Sequence, residues 1–404
     1  MVFGPDVYEA EPIPESARAE IEALLASGDL FRYRKNSDSP VAKLEREFAD
    51  FMGVPFALAV NSCSASILLA LKAIGIEPGD RVLIPAFTFV AVPSAVVHAG
   101  AEPVLVEVGE NYRMDMGDFA EKLAGDVKAV LVSHMRGHTS DMDTIMALCN
   151  ARNIPVIEDA AHSLGTLWSG QRIGTIGRVG CFSFQSFKLM NAGEGGMLAT
   201  RDPDIIARAI IMSGAYEHNW TAHAVARDRL EYWQNKLPLY NMRMNNLSAA
   251  VLRPQIAEVP RRARDGRTNH DYVAAILNAS PWLNVPAPLG PELRAPDSIQ
   301  FNVRGFDDDE ARAFQRVANE NGISVQVFGL SDDNARAFWN WKFFDRPVDL
   351  PQTRAMLMRA CDVRLPARLS NHDLDVIAGV LVKAADDVMG ASQPQSQTRS
   401  GTWA

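Results

Sequence analysis

Apolar residues recur at helical spacing over residues 15–25 and again over 41–52, so the chain opens with amphipathic helices around Phe31-Arg32-Tyr33-Arg34. Beyond them the period changes. Short apolar or β-branched runs at 56–60, 81–85, 104–108, 129–133 and 155–158 predict buried strands, with helical patterns at 65–74, 91–98 and 142–152 between them. Short strands alternating with helices imply a mostly parallel sheet covered on both faces, with ligands bound beyond the carboxyl ends of its strands. The rhythm breaks at 180–184 and 197–200, which read as two strands joined by a loop holding Lys188. From about residue 256 a long helix carrying Arg261, Arg262, Arg264 and Arg267 leads into a second pattern, with strands at 298–303 and 323–327 and helices at 308–321 and 373–388. The patterning divides the chain into a large α/β domain with an N-terminal helical segment over 1–255, a smaller α+β domain over 256–390, and a tail over 391–404 expected to be disordered. The irregular stretch 213–228, with Tyr216, His218, Trp220 and His223, reads as a substrate lid or a surface excursion.

Composition narrows the class. A chain of 404 residues exceeds one typical domain, and two domains provide a cleft. With 47% hydrophobic and 22% charged residues it resembles a soluble globular protein, and a net charge of −9 without a basic tract argues against nucleic acid or an anionic membrane as partner. Cys63, Cys149, Cys181 and Cys361 are scattered without metal-type spacing, the usage of reduced thiols in the cytosol. The first residues carry neither a basic n-region nor an apolar h-region, and no run approaches the roughly 18 apolar residues of a membrane span. The expectation is a cytoplasmic enzyme or binding protein.

Candidate chemistry centres on Lys188. From residue 179 to 200 the only charged side chains are Lys188 and Glu194. A lysine among aromatic and apolar neighbours is desolvated, which lowers its pKa and favours the neutral amine that attacks carbonyls. Taken singly, it is equally a lysine whose stem lines a core edge. Asp159 follows the strand at 155–158 and would share a crevice with Lys188 if both strands belong to one sheet; alone it reads as a helix cap. Together they match the needs of pyridoxal 5'-phosphate, a lysine to hold it and a carboxylate to keep its ring nitrogen protonated. The run Asn61-Ser62-Cys63-Ser64-Ala65-Ser66 separates a strand from an apolar helix and offers N–H groups and hydroxyls to a phosphate, without the Walker glycines and lysine of a nucleoside triphosphate site. His134 and His138 have the spacing of helical metal ligands, but Gly137 and the preceding strand place them in a loop, so no metal is expected.

Several spaced motifs now carry a resemblance. Glu158-Asp159-Ala160-Ala161-His162-Ser163, Gly174-Thr175-Ile176-Gly177, Cys181-Phe182-Ser183-Phe184, Lys188 and Gly193-Glu194-Gly195-Gly196 resemble the signature of the DegT/DnrJ/StrS aminotransferases. The likeness extends through Pro85-Ala86-Phe87-Thr88-Phe89 and Asn241-Met242-Arg243-Met244 and covers about residues 15–385. It implies the fold of type I pyridoxal phosphate enzymes, and transfer of an amino group from glutamate or glutamine to a ketosugar, keto-sugar acid or keto-cyclitol. It makes Lys188 the Schiff-base lysine, Asp159 the partner of the ring nitrogen and Phe89 the ring that stacks on the cofactor. His162, where many members have Gln, would face the cofactor's 3-hydroxyl. Ser64 with the preceding amides, including that of Cys63, Ser183, and Asn241 from a neighbouring subunit would hold the phosphate, which makes the protein a homodimer with shared sites. Cys63 stands where the family commonly has glycine, which its backbone tolerates only outside positive φ. Arg243, Arg304 and Lys342 are candidate partners for the donor carboxylate. Phe31-Arg32-Tyr33-Arg34 and Trp339-Asn340-Trp341-Lys342 resemble stretches of a branch that aminates an eight-carbon keto-sugar acid. The alternatives are a sugar dehydratase, which has histidine in place of Lys188, another lyase on the same fold, and a noncatalytic regulator.

Overall fold

The computed structural model describes residues 6–34, 38–344 and 348–392. Two helices, α1 (Arg18–Ser27) and α2 (Pro40–Met52), come first; Ser39 caps α2 by accepting from Ala42 N, and Gly53 at φ 71° ends it. The chain then alternates through β1 (Phe56–Val60), α3 (Cys63–Ala73), β2 (Arg81–Pro85), α4 (Ala91–His98), β3 (Glu102–Val106), α5 (Met116–Leu123), β4 (Ala129–Ser133), α6 (Met142–Asn150) and β5 (Val156–Asp159). A small hairpin, β6 (Leu167–Trp168) and β7 (Gln171–Arg172), precedes β8 (Val179–Ser183) and β9 (Gly196–Thr200). Seven strands form one sheet in the order β1-β9-β8-β5-β4-β2-β3. Strands β3, β2, β4, β5 and β8 are parallel, and β9 runs antiparallel to both β8 and β1. Strands β4, β8 and β9 are buried along their whole length, because helices cover both faces. The carboxyl ends of β4, β5 and β8 therefore open on one edge, and that edge carries Ser133, Asp159 and Ser183.

Helices α7 (Pro203–Gly214), α8 (Arg227–Trp233) and α9 (Asn246–Leu252) follow. The stretch 213–228 is part packed and part exposed: it holds a 3-10 turn at Asn219–Ala222 and the start of α8, with Trp220 and His223 buried and Tyr216 and His218 exposed. The long basic helix begins after a 3-10 turn at Arg253–Glu258, as α10 (Val259–Asn278). Then come β10 (Leu283–Asn284), β11 (Glu292–Leu293), β12 (Ser298–Val303), α11 (Asp308–Glu320), β13 (Gln326–Val327), α12 (Pro351–Leu357), β14 (Ala360–Arg364) and α13 (Asn371–Ser392). Strands β10, β12, β14 and β13 make an antiparallel second sheet in that order, while β11 joins the β6–β7 hairpin.

The apolar interior has three clusters. One lies on each face of the large sheet, and the third gathers Phe301, Phe314, Leu374 and Leu381 beneath the second sheet. Phe328, Phe338, Trp341 and Leu357 belong to the first cluster with Ile84 and Phe87, so the segment between β13 and β14 packs on the large sheet. Several expected bounds move. The strand at 323–327 contracts to β13, that at 104–108 shifts to β3, and of the expected tail Ala391 and Ser392 close α13, while 393–404 lie outside the described residues.

Candidate active site

Lys188 lies in the loop that returns β8 to β9. Its N–H donates to the Gln185 carbonyl at 2.9 Å, and the loop folds on itself through Phe184 N to Gly195 O at 2.9 Å. Gly193 at φ 77° and Gly195 at φ 157° take the backbone that this return requires. The residue is half-buried, but its amine sits in an enclosed recess lined by Ala161, His162, Ser183, Leu189 and Asp297. Nζ stands between the ring nitrogens of His162, 3.2 Å from Nδ1 and 2.9 Å from Nε2. Burial pulls the Lys188 pKa down to about 8, opposed by the charges of Asp297 and Asp159. His162 is held well below the usual imidazole range by burial and then by the Lys188 charge, so it is neutral at physiological pH.

Asp159 ends β5, and its neighbour Glu158 takes the other side of the strand. Glu158 is fully buried and accepts from the N–H groups of Gly174 at 2.8 Å, Ile176 at 2.8 Å and Gly177 at 2.6 Å, pinning that turn beneath the sheet edge. Asp159 is held for chemistry instead. Ser133 Oγ donates to Oδ2 at 2.8 Å, while the Ala161 N–H at 3.1 Å and the Cys63 thiol at 3.8 Å donate to Oδ1. Burial and the Asp159 charge push the Cys63 thiol well above its ordinary pKa, so it stays protonated and remains a donor.

Cys63 opens α3. Ser62 is the N-cap, accepting from Ala65 N at 3.1 Å, and the amides of Cys63 and Ser64 face out of the open first turn. Cys63 is not among the positive-φ residues, so its side chain costs the backbone nothing where glycine is usual. Gly196 allows this turn to lie against β9: a Cβ there would stand 2.4 Å from the Ser62 carbonyl carbon. Ser64 is exposed, and Ser183 closes β8 with its hydroxyl 3.4 Å from Gln185 N. The residues thus offer a nucleophilic amine, a buried carboxylate and an anion-binding helix end on one sheet edge, which fits pyridoxal phosphate.

Lys188, Asp159, His162, Cys63 and Ser183 come together. Phe89 is 43% exposed and connects to them through Arg336, whose guanidinium carbon lies 5.9 Å from its ring centroid and whose charge acts on His162. Asn241 is exposed on a segment that borders β1, where Asn61 N donates to Met242 O and Val60 bridges Arg243. Of the expected donor-carboxylate partners, Arg243 donates to Gly214 O at 2.9 Å beside Phe31 and Tyr216, Arg304 lines a separate pocket with Glu110 and Arg359, and Lys342 is exposed. His134 faces Glu158 at 3.3 Å and His138 faces Gln300 at 2.9 Å. Ser133, Asp297, Arg136, Arg336 and Arg364 were not found from the sequence. Only Ser133, at the carboxyl end of a predicted strand, carried a readable signal.

A mostly parallel sheet that delivers a carboxylate from β5 and a recessed lysine after β8 defines a pyridoxal phosphate-dependent transferase. Residues 13–382 match the DegT/DnrJ/EryC1/StrS aminotransferase family, and the chain belongs to it. It is 30% identical over 392 residues to the spore coat polysaccharide biosynthesis protein SpsC of Bacillus subtilis (strain 168), covering 94% of this chain and 97% of that one. The crystal structure of 3-amino-5-hydroxybenzoic acid synthase superposes with a TM-score of 0.82 at 26% identity over 95% of this chain and 99% of that one. The putative sugar aminotransferase Spr1654 from Streptococcus pneumoniae, solved in its PMP form, shares the fold with a TM-score of 0.81 at 20% identity, over 98% of this chain and all (100%) of that one. The chain is a pyridoxal phosphate-dependent aminotransferase.

Proposed function

We propose that the protein transfers an amino group from glutamate or glutamine to the ketone of a sugar, sugar acid or cyclitol, in a site shared between two copies of the chain. The observation that carries the reading is the recessed Lys188 amine, 2.9 Å from His162 and under the influence of Asp159. When bound, the cofactor supplies an electron sink for the substrate carbon that exchanges its proton. Lys188 would hold the cofactor between turnovers and, when free, its amine would be the group that takes and returns that proton, which a pKa of about 8 allows near neutrality. Asp159, oriented by Ser133, Cys63 and the Ala161 amide, keeps the ring nitrogen protonated. His162, neutral, would offer a ring nitrogen to the 3-hydroxyl once Lys188 turns to the cofactor. The α3 amides, Ser64 and Ser183 would hold the phosphate, Phe89 would pack against the ring, and Asn241 would serve the phosphate of a partner's site.

The ketosugar class is supported by the names of relatives: GDP-perosamine synthase of Escherichia coli O157:H7 is 35% identical over 212 residues, about half of each chain (52% and 56%). The same reading keeps a cofactor-binding unit over 1–255 and a smaller one over 256–390. All four cysteines are unpaired, in support of a reducing cytoplasmic setting. Absorbance of the purified protein tests the whole: a near-visible band of the lysine-bound cofactor should give way to a pyridoxamine band on adding L-glutamate or L-glutamine. Protein that shows no cofactor band even after reconstitution would end the aminotransferase reading.

A further inference from the structure

We propose that Arg336, beside Phe89 and close enough for its charge to act on His162, seats a carboxylate of a substrate next to the Lys188 recess. The inference rests on the aminotransferase reading and names what that site must recognise. Three guanidinium groups, of Arg136, Arg336 and Arg364, act on the His162 ring beside the lysine. Two of them are answered within the protein. Arg136 pairs with Asp362, which also accepts from Gln300 at 2.7 Å, and Arg364 lies 4.0 Å from Asp297 while donating to Phe187 O at 3.2 Å.

Arg336 is not answered. The one acceptor of its guanidinium among the described residues is the neutral amide oxygen of Gln326, 3.2 Å from Nη1, and among those residues the guanidinium has no carboxylate within 4.0 Å. Its Nε is buried without a partner. The rings of Phe89 and Phe328, with centroids 5.9 and 5.8 Å from the guanidinium carbon, flank it in apolar surroundings. Burial, and then the Arg136 charge, lower its pKa only to about 10, so the group stays charged at neutral pH.

Asp362 acts on this guanidinium from beyond ion-pair distance and is itself paired with Arg136, so a desolvated charge is left without a contacting carboxylate, and one that meets it with two parallel hydrogen bonds removes that cost. The residue is half-buried, so part of it stays open to a ligand. Position supports the same answer. Phe89 is the ring expected to stack on the cofactor, and Arg336 lies beside it, so the anion would be held next to the reacting carbon. Two substrates carry such a group, the amino-acid donor and an acidic sugar acceptor. They share the chemistry that Arg336 reads.

The test measures equilibrium binding to the cofactor-loaded protein by the change in its absorbance band. In Arg336→Gln the apparent dissociation constants of L-glutamate and 2-oxoglutarate should rise on the order of 10- to 100-fold with the resting band unchanged, and Arg336→Lys should recover part of the loss. That result assigns the seat to the donor. Unaltered donor binding, with binding of D-galacturonate but not of D-galactose weakened by the substitution, assigns it to an acidic acceptor. If the variant binds both sets of carboxylates as the parent does, the proposal fails. A parent protein with no cofactor band fails the aminotransferase reading and removes this proposal with it, so the two failures are told apart.

Discussion

At the residue scale the decisive quantity is the charge state of Lys188. Below about pH 8 its amine is protonated and cannot attack a carbonyl, whereas an exposed lysine would keep gaining reactivity up to its ordinary pKa of 10.5. The rate at which apoprotein captures added cofactor should therefore rise about tenfold per pH unit and level off near pH 8, read by stopped-flow absorbance. A continued rise to pH 10 would show an unperturbed amine. The linkage has the matching sign. The folded pKa lies below the unfolded one, so this group's contribution to apoprotein stability is complete above pH 10.5 and is lost as pH falls through about 8. Lys188→Ala should abolish the lysine-bound band and turnover while leaving the unfolding transition in place. Glu158→Gln should act in the opposite way. It puts an amide NH2 among three N–H donors, and a loss of about 2–4 kcal/mol in denaturant unfolding is expected.

At the scale of elements, the sequence showed the framework better than its contents. Strands at 81–85, 129–133 and 298–303 were legible to the residue, the first two from short apolar runs and the third from strict polar–apolar alternation. Strands β6, β7 and β11 were not legible: two residues carry no period, and long-range pairing alone defines them. Lys188, Asp159 and the α3 turn were readable because each ends or follows a strand of one sheet. Arg336 and Arg364 were not, since nothing in the sequence spacing says that the segment after β13 and the end of β14 bring their charges to bear on His162. Close packing between elements also gives a test. Gly196→Ala would press a methyl group into the Ser62 carbonyl, so we expect a loss of about 1–3 kcal/mol in stability and weaker cofactor retention on dialysis. Unchanged retention would mean that the α3 turn does not hold the phosphate.

At the scale of the whole molecule, the proposal that Asn241 completes the site of a second copy requires it to be accessible, and it is exposed on a segment beside β1. Co-expression of Lys188→Ala with Asn241→Asp chains checks this directly. If Asn241 serves the partner, each mixed dimer regains one intact site, and the mixture should recover about a quarter of parental activity from two inactive parents. No recovery would place Asn241 with its own lysine. The same scale sets how water is kept from the recess. Phe328 packs on Phe87 with ring centroids 5.1 Å apart, and Phe338 and Trp341 share that apolar cluster. The second sheet is thereby riveted to the first through the chain that runs between β13 and β14. A hinge swing of one body on the other would have to tear aromatic rings out of the core, so gating falls to short surface segments that can move while those rings stay in place.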